Sequence, residues 1–353
     1  MNMSHIAIIV LHYKNLDDTK ACLKSLEKID YPSYSVIVVN NDADGHGKVL
    51  MDEFPKITLI QNESNLGFAE GNNIGMRHAL ANDATDAVLV LNNDTEVEPS
   101  FLTTMAQAKG DMIAGHMMQY NNRDKVDNLG VVMMKSGLPF NRLNEKQKIF
   151  CPSAGCALYS RRLLEACVIA SGAVAERGNP NVASEHDSKA TGNHGDDKIA
   201  TVGSTLPRND KWYFDPTYFA YTEDIDLGFR AHLLGFEAGY DKDAVVYHKG
   251  SASTSKLSDF AVYTTYRNLI WTQYKNYPTA VFFRNVLWII LGWMTIFFGY
   301  IFKDRPWIIA KAMADGLAGI ATMKHKRAEI QKHKHYKGWN VWFENGIFPK
   351  NLL

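Results

Sequence analysis

Short apolar runs alternate with amphipathic stretches in the first part of the chain. Four or more consecutive apolar residues predict a buried strand, and apolar positions recurring every three or four residues predict a helix. This predicts strands at 6–11, 36–39, 57–60 and 87–91, and helices at 16–29 and about 71–81. Buried strands alternating with helices are typical of an α/β protein with a mostly parallel central sheet.

The pattern loosens after the fourth strand. Strands and loops are expected over 111–150, an apolar run over 151–160, a helix over 161–167, a helix over 224–234 and a strand over 244–247. Between them, residues 168–211 are polar and contain few large apolar side chains. Such a segment cannot bury a face of its own, so we expect a mobile insertion.

The C-terminal part is strongly apolar and then basic. Residues 281–302 are rich in Trp and Phe, 307–323 are amphipathic, and 324–337 carry six Lys and Arg residues against the single acid Glu329. A buried helical hairpin in a soluble protein is the alternative. Interfacial aromatic residues and a basic tail favour an anionic membrane surface. We therefore expect a catalytic domain at 1–262 and membrane-associated helices at 263–353.

Charge and cysteine content exclude some classes. Lys plus Arg and Asp plus Glu are 38 each, so the net charge gives no argument for nucleic acid. The 4 cysteines contain no CxxC, and Cys151 and Cys156 lack the further ligands of a zinc site, so buried thiols are expected. With no signal-peptide pattern at the start, a reducing compartment is expected. Together with the apolar C-terminal part, this places the protein on the cytoplasmic face of the cell membrane, peripheral or monotopic.

Asp94 follows the fourth predicted strand. Polar residues at strand ends in α/β proteins meet in one crevice, where a carboxylate can hold a divalent cation. One carboxylate is insufficient, and His248, which ends the strand at 244–247, is the best-placed imidazole. A second interpretation stays open, in which Asp94 caps a helix whose first turn contains Glu96 and Glu98.

A second acidic cluster, Glu223, Asp224 and Asp226, lies at a predicted helix start. Crowded carboxylates raise one another's pKa, which suits one of them to accept a proton near neutral pH. Glu223 or Asp224 would face the site. For Asp226 the alternative is an ion pair with Arg230 one turn along the helix.

Two loops rich in amides and glycine follow earlier strands, at 40–42 and 62–75. Such loops let backbone approach a ligand and offer paired donors and acceptors to a base or ribose. Asn and Gly are equally common in turns that bind nothing, so both interpretations remain open.

Several segments in fixed order carry a family resemblance. They are His12 to Asn15, Val38 to Asn41, Asn65 to Gly75, Leu91 to Asp94, Phe219 to Arg230 and His248 to Ser251. Over roughly 6–274 the chain resembles bacterial family 2 glycosyltransferases, and among these rhamnosyltransferases and galactofuranosyltransferases. The resemblance implies a GT-A fold, the α/β architecture of nucleotide-diphospho-sugar transferases.

The resemblance also implies roles for individual residues. Asp224 matches the catalytic base, Glu223 the neighbouring carboxylate that touches the acceptor, and Asp94 and His248 the ligands of Mg²⁺ or Mn²⁺. The donor-binding set is His12, Asn40, Asp42, Asn65, Gly67, Asn73, Asn92 and Asn93, and the acceptor-binding set is Gly155, Tyr221 and Glu223. Asn replaces the family's Asp at Asn40 and Asn92, and the insertion at 168–211 has no counterpart.

The implied function is inverting, metal-dependent transfer of a sugar from dTDP-rhamnose or a UDP-sugar to a lipid-linked saccharide in cell-surface polysaccharide synthesis. The expected partners are the nucleotide-sugar, this acceptor and the membrane, without nucleic acid; a homo-oligomer is left open. The amides at Asn40 and Asn92 keep an alternative, a non-catalytic carbohydrate-binding or scaffold protein. A redox enzyme on a dinucleotide fold is remote, because no G-x-G-x-x-G follows the first strand.

Overall fold

The computed structural model of the chain describes residues 4–43, 45–170, 199–202, 212–250, 258–303, 305–333 and 342–349. The described strands are β1 Ile6–His12, β2 Tyr34–Asn40, β3 Thr58–Asn62, β4 Ala87–Asn92, β5 Thr95–Val97, β6 Met112–Gln119, β7 Asn122–Asn128, β8 Val131–Met134, β9 Pro139–Asn141, β10 Cys156–Ser160, β11 Ile199–Val202, β12 Ala238–His248 and β13 Phe343–Glu344. The described helices are α1 Leu16–Leu26, α2 His46–Glu53, α3 Gly67–Leu80, α4 Phe101–Gln107, α5 Arg161–Ala170, α6 Glu223–Leu233, α7 Asp259–Asn276, α8 Thr279–Ile301, α9 Pro306–Ala318 and α10 Ile320–Ile330.

A central sheet organises the described residues. Its strand order is β11-β3-β2-β1-β4-β10-β6-β12-β5, and β7 pairs with β6. Strands β11, β3, β2, β1 and β4 are mutually parallel, as the alternation of strand and helix predicted. Beyond β4, strand β10 runs antiparallel to both of its neighbours and β5 runs antiparallel to β12. The central sheet is therefore mixed rather than parallel throughout.

The strand order creates a crevice at the carboxyl ends of β1 and β4. The chain proceeds from β1 outward through β2 to β3, and then returns through α3 to β4 on the other side of β1. At such a switch point neighbouring loops diverge and leave room for a ligand. Both predicted polar strand ends, after β2 and after β4, lie at this edge.

Both faces of the sheet are covered by helices. Ile9, with Val39 and Val90 on the neighbouring strands, packs with α3, α5 and α6 on one face. Ile8 and its neighbours pack with α1 and α4 on the other face. Successive side chains of a strand point to opposite faces of the sheet. Because both faces are covered by helices, successive positions of such a strand are apolar, and this gives the apolar runs in the sequence.

Two of the predictions that concern the loops at the crevice are wrong. Helix α3 begins at Gly67, not near residue 71, because the amide-rich loop ends earlier than its composition suggested. The segment after Asp94 is not a helix start: Thr95–Val97 form β5, which pairs with β12, and α4 begins only at Phe101. The helix-cap interpretation of Asp94 is therefore wrong.

The expected C-terminal helices are present as α8, α9 and α10. Helix α7 begins at Asp259, so it crosses the domain boundary expected at 262, and it packs against α6, α9 and α10. Among the described residues, α8 alone is long and apolar enough to cross a membrane by length and composition, and 22% of its apolar 18-residue stretch is buried. Exposed apolar side chains on it include Phe283, Leu287, Ile290 and Phe298.

The predicted insertion at 168–211 falls mostly outside the described residues. Within it, Ile199–Val202 form β11, which pairs in parallel with β3 at the sheet edge. The expected mobility of the insertion stays a prediction. All 4 cysteines are buried and free, as expected.

Candidate active site

Asp94 and His248 lie next to each other at the carboxyl edge of the sheet. The pairing of β12 with β5 sets His248 opposite Thr95, and the Lys249 N–H donates to the Asp94 carbonyl oxygen at 2.9 Å. His248 Nε2 is 3.3 Å from Asp94 Oδ1. Two residues more than 150 positions apart in sequence are thus brought into contact by one antiparallel pairing.

A third group, Asp127 at the end of β7, completes this cluster. Its Oδ2 lies 2.7 Å from Nδ1 of His248. Burial lowers the pKa of His248, but hydrogen bonds with Asp127 and Asp94 outweigh that effect and raise the pKa to about 9. Sequence reasoning missed Asp127, because an acid within an otherwise exposed polar strand has no local signal of function.

The pair fits a divalent cation in its chemistry. Imidazole and carboxylate are ligands for Mn²⁺, and a metal-bound histidine usually donates its other ring N–H to a carboxylate, as His248 does to Asp127. Adjacent octahedral ligands at about 2.1 Å from an ion are about 3 Å apart, close to the 3.3 Å between His248 Nε2 and Asp94 Oδ1. Within the described ranges, no group of three or more His, Cys, Asp or Glu side chains could hold a metal ion. Phosphate oxygens or water would have to supply the remaining ligands.

Asn93 and His12 both contact the side chain of Thr19. Asn93 Nδ2 donates to Thr19 Oγ1 at 2.8 Å, and His12 Nδ1 lies 2.7 Å from the same oxygen. His12 Nε2 lies 3.2 Å from His46 Nδ1. His12 is completely buried, so its ring positions the loop beside the crevice and is not itself exposed in it.

The amide-rich loops form one hydrogen-bonded unit around Asn41. Its Nδ2 donates to Asn65 Oδ1 at 2.9 Å, and its Oδ1 accepts from Asn62 Nδ2 at 3.0 Å. Asn40 is fully buried and donates to Gln61 Oε1, and its Oδ1 accepts from the Asp42 N–H. These amides fix the loop shape, while Asp42 and Asn65 keep partly or fully exposed side chains at the crevice rim.

Asn73 lies in the interior against residues 213–214. Its side chain is fully buried; Nδ2 donates to the Phe214 carbonyl oxygen at 2.7 Å, and Oδ1 accepts the N–H groups of Tyr213 and Phe214. Both ends of the amide are therefore occupied by backbone. Asn73 therefore supports residues 213–214, and its predicted contact with the nucleotide stays a prediction.

Glu223 and Asp224 begin α6 in a buried environment. Asp224 accepts from the N–H groups of Ala154 at 3.0 Å and Ile225 at 2.8 Å, and burial nevertheless raises its pKa above the ordinary value. Burial and the neighbouring Asp224 raise the pKa of Glu223 well above its ordinary value. Among described groups, Glu223 Oε2 is a buried oxygen that lacks a hydrogen-bond partner. A carboxylate with a raised pKa is suited to take up a proton.

The two acidic clusters are connected through the segment before β10. Ala154 donates to Asp224, and the carbonyl oxygen of its neighbour Gly155 accepts the Asn92 N–H at 2.9 Å. Asn92 is two residues from Asp94. Gly155, predicted to bind the acceptor, therefore lies between the carboxylate at Asp224 and the pair at Asp94 and His248. Asp224, Gly155 and Asn92 are thus linked by hydrogen bonds next to the carboxyl end of β4.

Gly67 meets the turn that precedes Glu223. Its φ of +81° is in the left-handed region, and a Cβ there would lie 2.5 Å from the Phe219 carbonyl oxygen. That same oxygen accepts the Ala69 N–H at 3.0 Å. The start of α3 therefore packs directly on the turn that carries Tyr221, whose ring is 41% exposed. Glycine at position 67 makes this close approach feasible.

Asp226 is part of a buried ionic network, as the Arg230 alternative predicted. Arg230 Nε lies 3.1 Å and Lys275 Nζ 2.7 Å from the Asp226 carboxylate, and all three side chains are fully buried. Lys275 and Lys326 also pair with the buried Asp215 at 2.6 Å and 2.7 Å. This network ties α6 to α7 and α10, so Lys326, expected in a membrane-facing basic tail, is instead mainly an internal ion-pair partner.

Comparison with known proteins agrees with this fold. The chain is 21% identical over 325 residues to the low-salt glycan biosynthesis hexosyltransferase Agl10 of Haloferax volcanii, covering 90% of this chain and 92% of that protein. The structure of S. aureus TarS 1-349 in complex with UDP-GlcNAc is similar with a TM-score of 0.54 and 14% identity, covering 93% of this chain and 89% of that one. The structure of GalNAc-T7 with UDP, GalNAc and Mn²⁺ is similar with a TM-score of 0.51 and 11% identity. The match covers 78% of this chain and 48% of that one.

The sequence profile described as Glycosyl transferase family 2 matches residues 7–168, from β1 to α5. These residues contain the crevice-forming strands and Asp94. Residues 7–168 therefore match the profile of glycosyltransferase family 2, and the chain has the GT-A fold that its ordered motifs predicted.

Proposed function

We propose that the protein is a metal-dependent, inverting hexosyltransferase that moves a sugar from a nucleoside-diphosphate donor to a saccharide acceptor. The observation that carries the proposal is the position of Asp224, a carboxylate with a pKa raised by burial at the same sheet edge as the Asp94 and His248 pair. A base and a cation-type ligand pair are the two elements that a single displacement needs.

Asp224 would accept the proton of an acceptor hydroxyl while that oxygen attacks the anomeric carbon of the donor. The new C–O bond forms as the bond from this carbon to the diphosphate breaks, which inverts the configuration and releases the nucleoside diphosphate. Glu223 would hold the acceptor sugar next to Asp224. Asp94 and His248 would hold Mg²⁺ or Mn²⁺, which when bound neutralises the phosphate charge.

The relatives support the substrate class. Agl10 is a hexosyltransferase of glycan biosynthesis, and GalNAc-T7 was solved with UDP and Mn²⁺. The donor is therefore proposed to be a nucleotide-sugar, with dTDP-rhamnose and UDP-sugars tested first, and the product a glycan of the cell surface.

The acceptor is proposed to be lipid-linked, with the enzyme seated on the cytoplasmic face of the cell membrane. Helix α8 supports this because Phe283, Leu287 and Phe298 are 67%, 73% and 50% exposed on an apolar helix. Several large exposed apolar side chains on one apolar helix favour a lipid interface. Liposome flotation tests it: Leu287→Glu with Phe298→Glu should release the protein from anionic vesicles. Val49→Glu, an exposed site on α2, should leave it bound, and flotation of the double variant equal to that of the parent would contradict membrane seating by α8.

The test of the proposed chemistry is Asp224→Asn. Nucleoside diphosphate release from a panel of nucleotide-sugars should disappear in the variant, while calorimetry with donor and Mn²⁺ should show nearly unchanged binding. Full turnover in the variant would refute the role of Asp224 as base. If the unmodified protein shows no metal-dependent donor binding, the non-catalytic scaffold becomes the better description.

A further inference from the structure

The turn before Glu223 has an unusual backbone. Phe219, Tyr221 and Thr222 have φ values of 64°, 69° and 68°, in the left-handed region that bulky and β-branched residues disfavour. Such a conformation persists only where surrounding contacts enforce it. The shape of this turn determines where α6 begins and therefore where Glu223 and Asp224 lie.

Side chains of α7 hold this turn: Asn268 makes most of the contacts, and Arg267 Nη2 adds a donation to the Tyr218 carbonyl oxygen at 3.3 Å. Asn268, on α7, is completely buried, and its Nδ2 lies 3.0 Å, 2.9 Å and 2.8 Å from the carbonyl oxygens of Tyr218, Ala220 and Tyr221. An amide NH₂ group has two hydrogens, so at least one of them is shared between carbonyls. Three carbonyl oxygens of the turn therefore converge on a single nitrogen.

The orientation of the Asn268 amide is itself fixed. Arg267 donates to Asn268 Oδ1 from Nε at 3.0 Å and from Nη2 at 2.8 Å. With its oxygen held by a guanidinium, the amide can only present its nitrogen to the turn. The Arg267 guanidinium lies over the Trp271 ring at 4.5 Å, and Trp271 Nε1 donates to the Gly316 carbonyl oxygen on α9.

We propose that Asn268 is a positioning residue for sugar transfer, which places the catalytic carboxylates by holding the turn 218–222, and that α7 is thereby part of the active site. The expected effect on kcat rests on the proposed function. The expected effect on the turn itself rests on the contacts of Asn268 alone. A displacement of about 1 Å at a catalytic group can reduce the rate by about 100-fold, so an intact turn is a condition of catalysis.

The test compares Asn268→Ala with Asn285→Ala. Asn285 is also a buried asparagine of the C-terminal helices, but its Nδ2 donates to Val281 within its own helix. In folded Asn268→Ala, kcat should fall by about 100-fold while KM for the donor changes by less than about threefold. Asn285→Ala should keep the kcat of the parent. A folded Asn268→Ala protein with kcat within about threefold of the parent overturns the proposal.

The proposal can also be tested through Arg267→Ala and through hydrogen–deuterium exchange. If Asn268→Ala does not fold, Arg267→Ala removes the group that orients the amide from a half-buried site, and kcat should fall in the same direction; unchanged kcat overturns the proposal. Hydrogen–deuterium exchange of the amides of 219–226 should accelerate in either folded variant, and unchanged exchange also overturns it. Because exchange needs no substrate, this arm decides the role of Asn268 even where the parent transfers no sugar and the proposed function fails.

Discussion

Nδ1 of His248 lies 2.7 Å from Oδ2 of Asp127, while Nε2 of the same ring faces Asp94 Oδ1 at 3.3 Å. The imidazole is thus held between two carboxylates contributed by β7 and by the segment after β4. Because Asp127 binds Nδ1, Nε2 is the ring nitrogen that would face a cation at Asp94. Asp127 therefore orients the ring without needing to touch the ion.

We expect Asp127→Asn to weaken Mn²⁺ binding by about 10–100-fold, because the partner that orients a metal-bound histidine is lost or altered. Calorimetric titration of Mn²⁺ in the presence of a nucleotide-sugar measures the change. Asp124→Asn, at an exposed position on the same strand, is the matched control and should bind Mn²⁺ like the parent. Equal Mn²⁺ affinity in both variants would remove Asp127 from the metal site.

Gly67→Ala should reduce kcat by displacing the turn at Phe219. The added Cβ would lie 2.5 Å from the Phe219 carbonyl oxygen at a φ of +81°, so both steric overlap and backbone strain act. Gly45→Ala provides the control, since its φ is +79° but no atom lies within 4 Å of the added Cβ. Stability should fall in both variants, by roughly 1 kcal/mol from strain alone. A large kcat loss is expected only in Gly67→Ala, and equal kcat values would show that the contact with Phe219 is irrelevant to turnover.

The sheet was predictable because its signal is local. Strands β1 and β4 and the second half of β2 are buried on both faces, so each appears in the sequence as an apolar run. Polar residues directly after such runs then mark the crevice, which is how Asp94 could be found. The short strand Thr95–Val97 was missed, because three residues with two polar neighbours resemble a helix start as closely as a strand.

The supporting residues were not predictable, because their partners are distant in sequence. Asn268 contacts carbonyls 47 to 50 positions earlier, and Lys326 pairs with Asp215 over 111 positions. Nothing near Lys326 distinguishes it from the other basic residues of α10, so composition assigned the whole segment to a membrane surface. Only the packing of α10 against α7 shows that one of these lysines is internal.

Glu223→Gln should stabilise the protein at neutral pH while reducing transfer. Burial and Asp224 raise the pKa of Glu223, so the folded state holds this proton more tightly than the unfolded state. The stability it contributes is fully present below the unfolded pKa of about 4.3 and is lost as pH rises through the folded pKa. A neutral amide escapes this loss. At pH 8 we expect the Tm of the variant to exceed that of the parent, by roughly 2–4 °C for each kcal/mol of unfolding free energy gained. The difference in Tm should become smaller as the pH is lowered toward about 4. A lower Tm at pH 8 would contradict the sign of the pKa shift.

Asp226→Asn should have the opposite effect, although it lies less than one turn further along α6. Burial raises the pKa of Asp226, but Lys275 and Arg230 outweigh it and lower the pKa below the ordinary value. Its stabilisation is therefore present above an unfolded pKa of about 3.9 and is lost as pH falls through the folded value.

Removing this carboxylate leaves buried cations without full compensation, which destabilises by about 3–5 kcal/mol. Urea unfolding at pH 7 should show this loss, and the difference from the parent should shrink only as the pH falls below about 3.9. Asp52→Asn, at an exposed position on α2, should change stability by less than about 0.5 kcal/mol. If Asp226→Asn were as stable as the parent at pH 7, the network with Lys275 and Arg230 would not be what attaches the C-terminal helices to α6. The opposite signs expected at Glu223 and Asp226 would separate an acid with a proposed role in transfer from an acid that forms structural ion pairs, within a single helical turn.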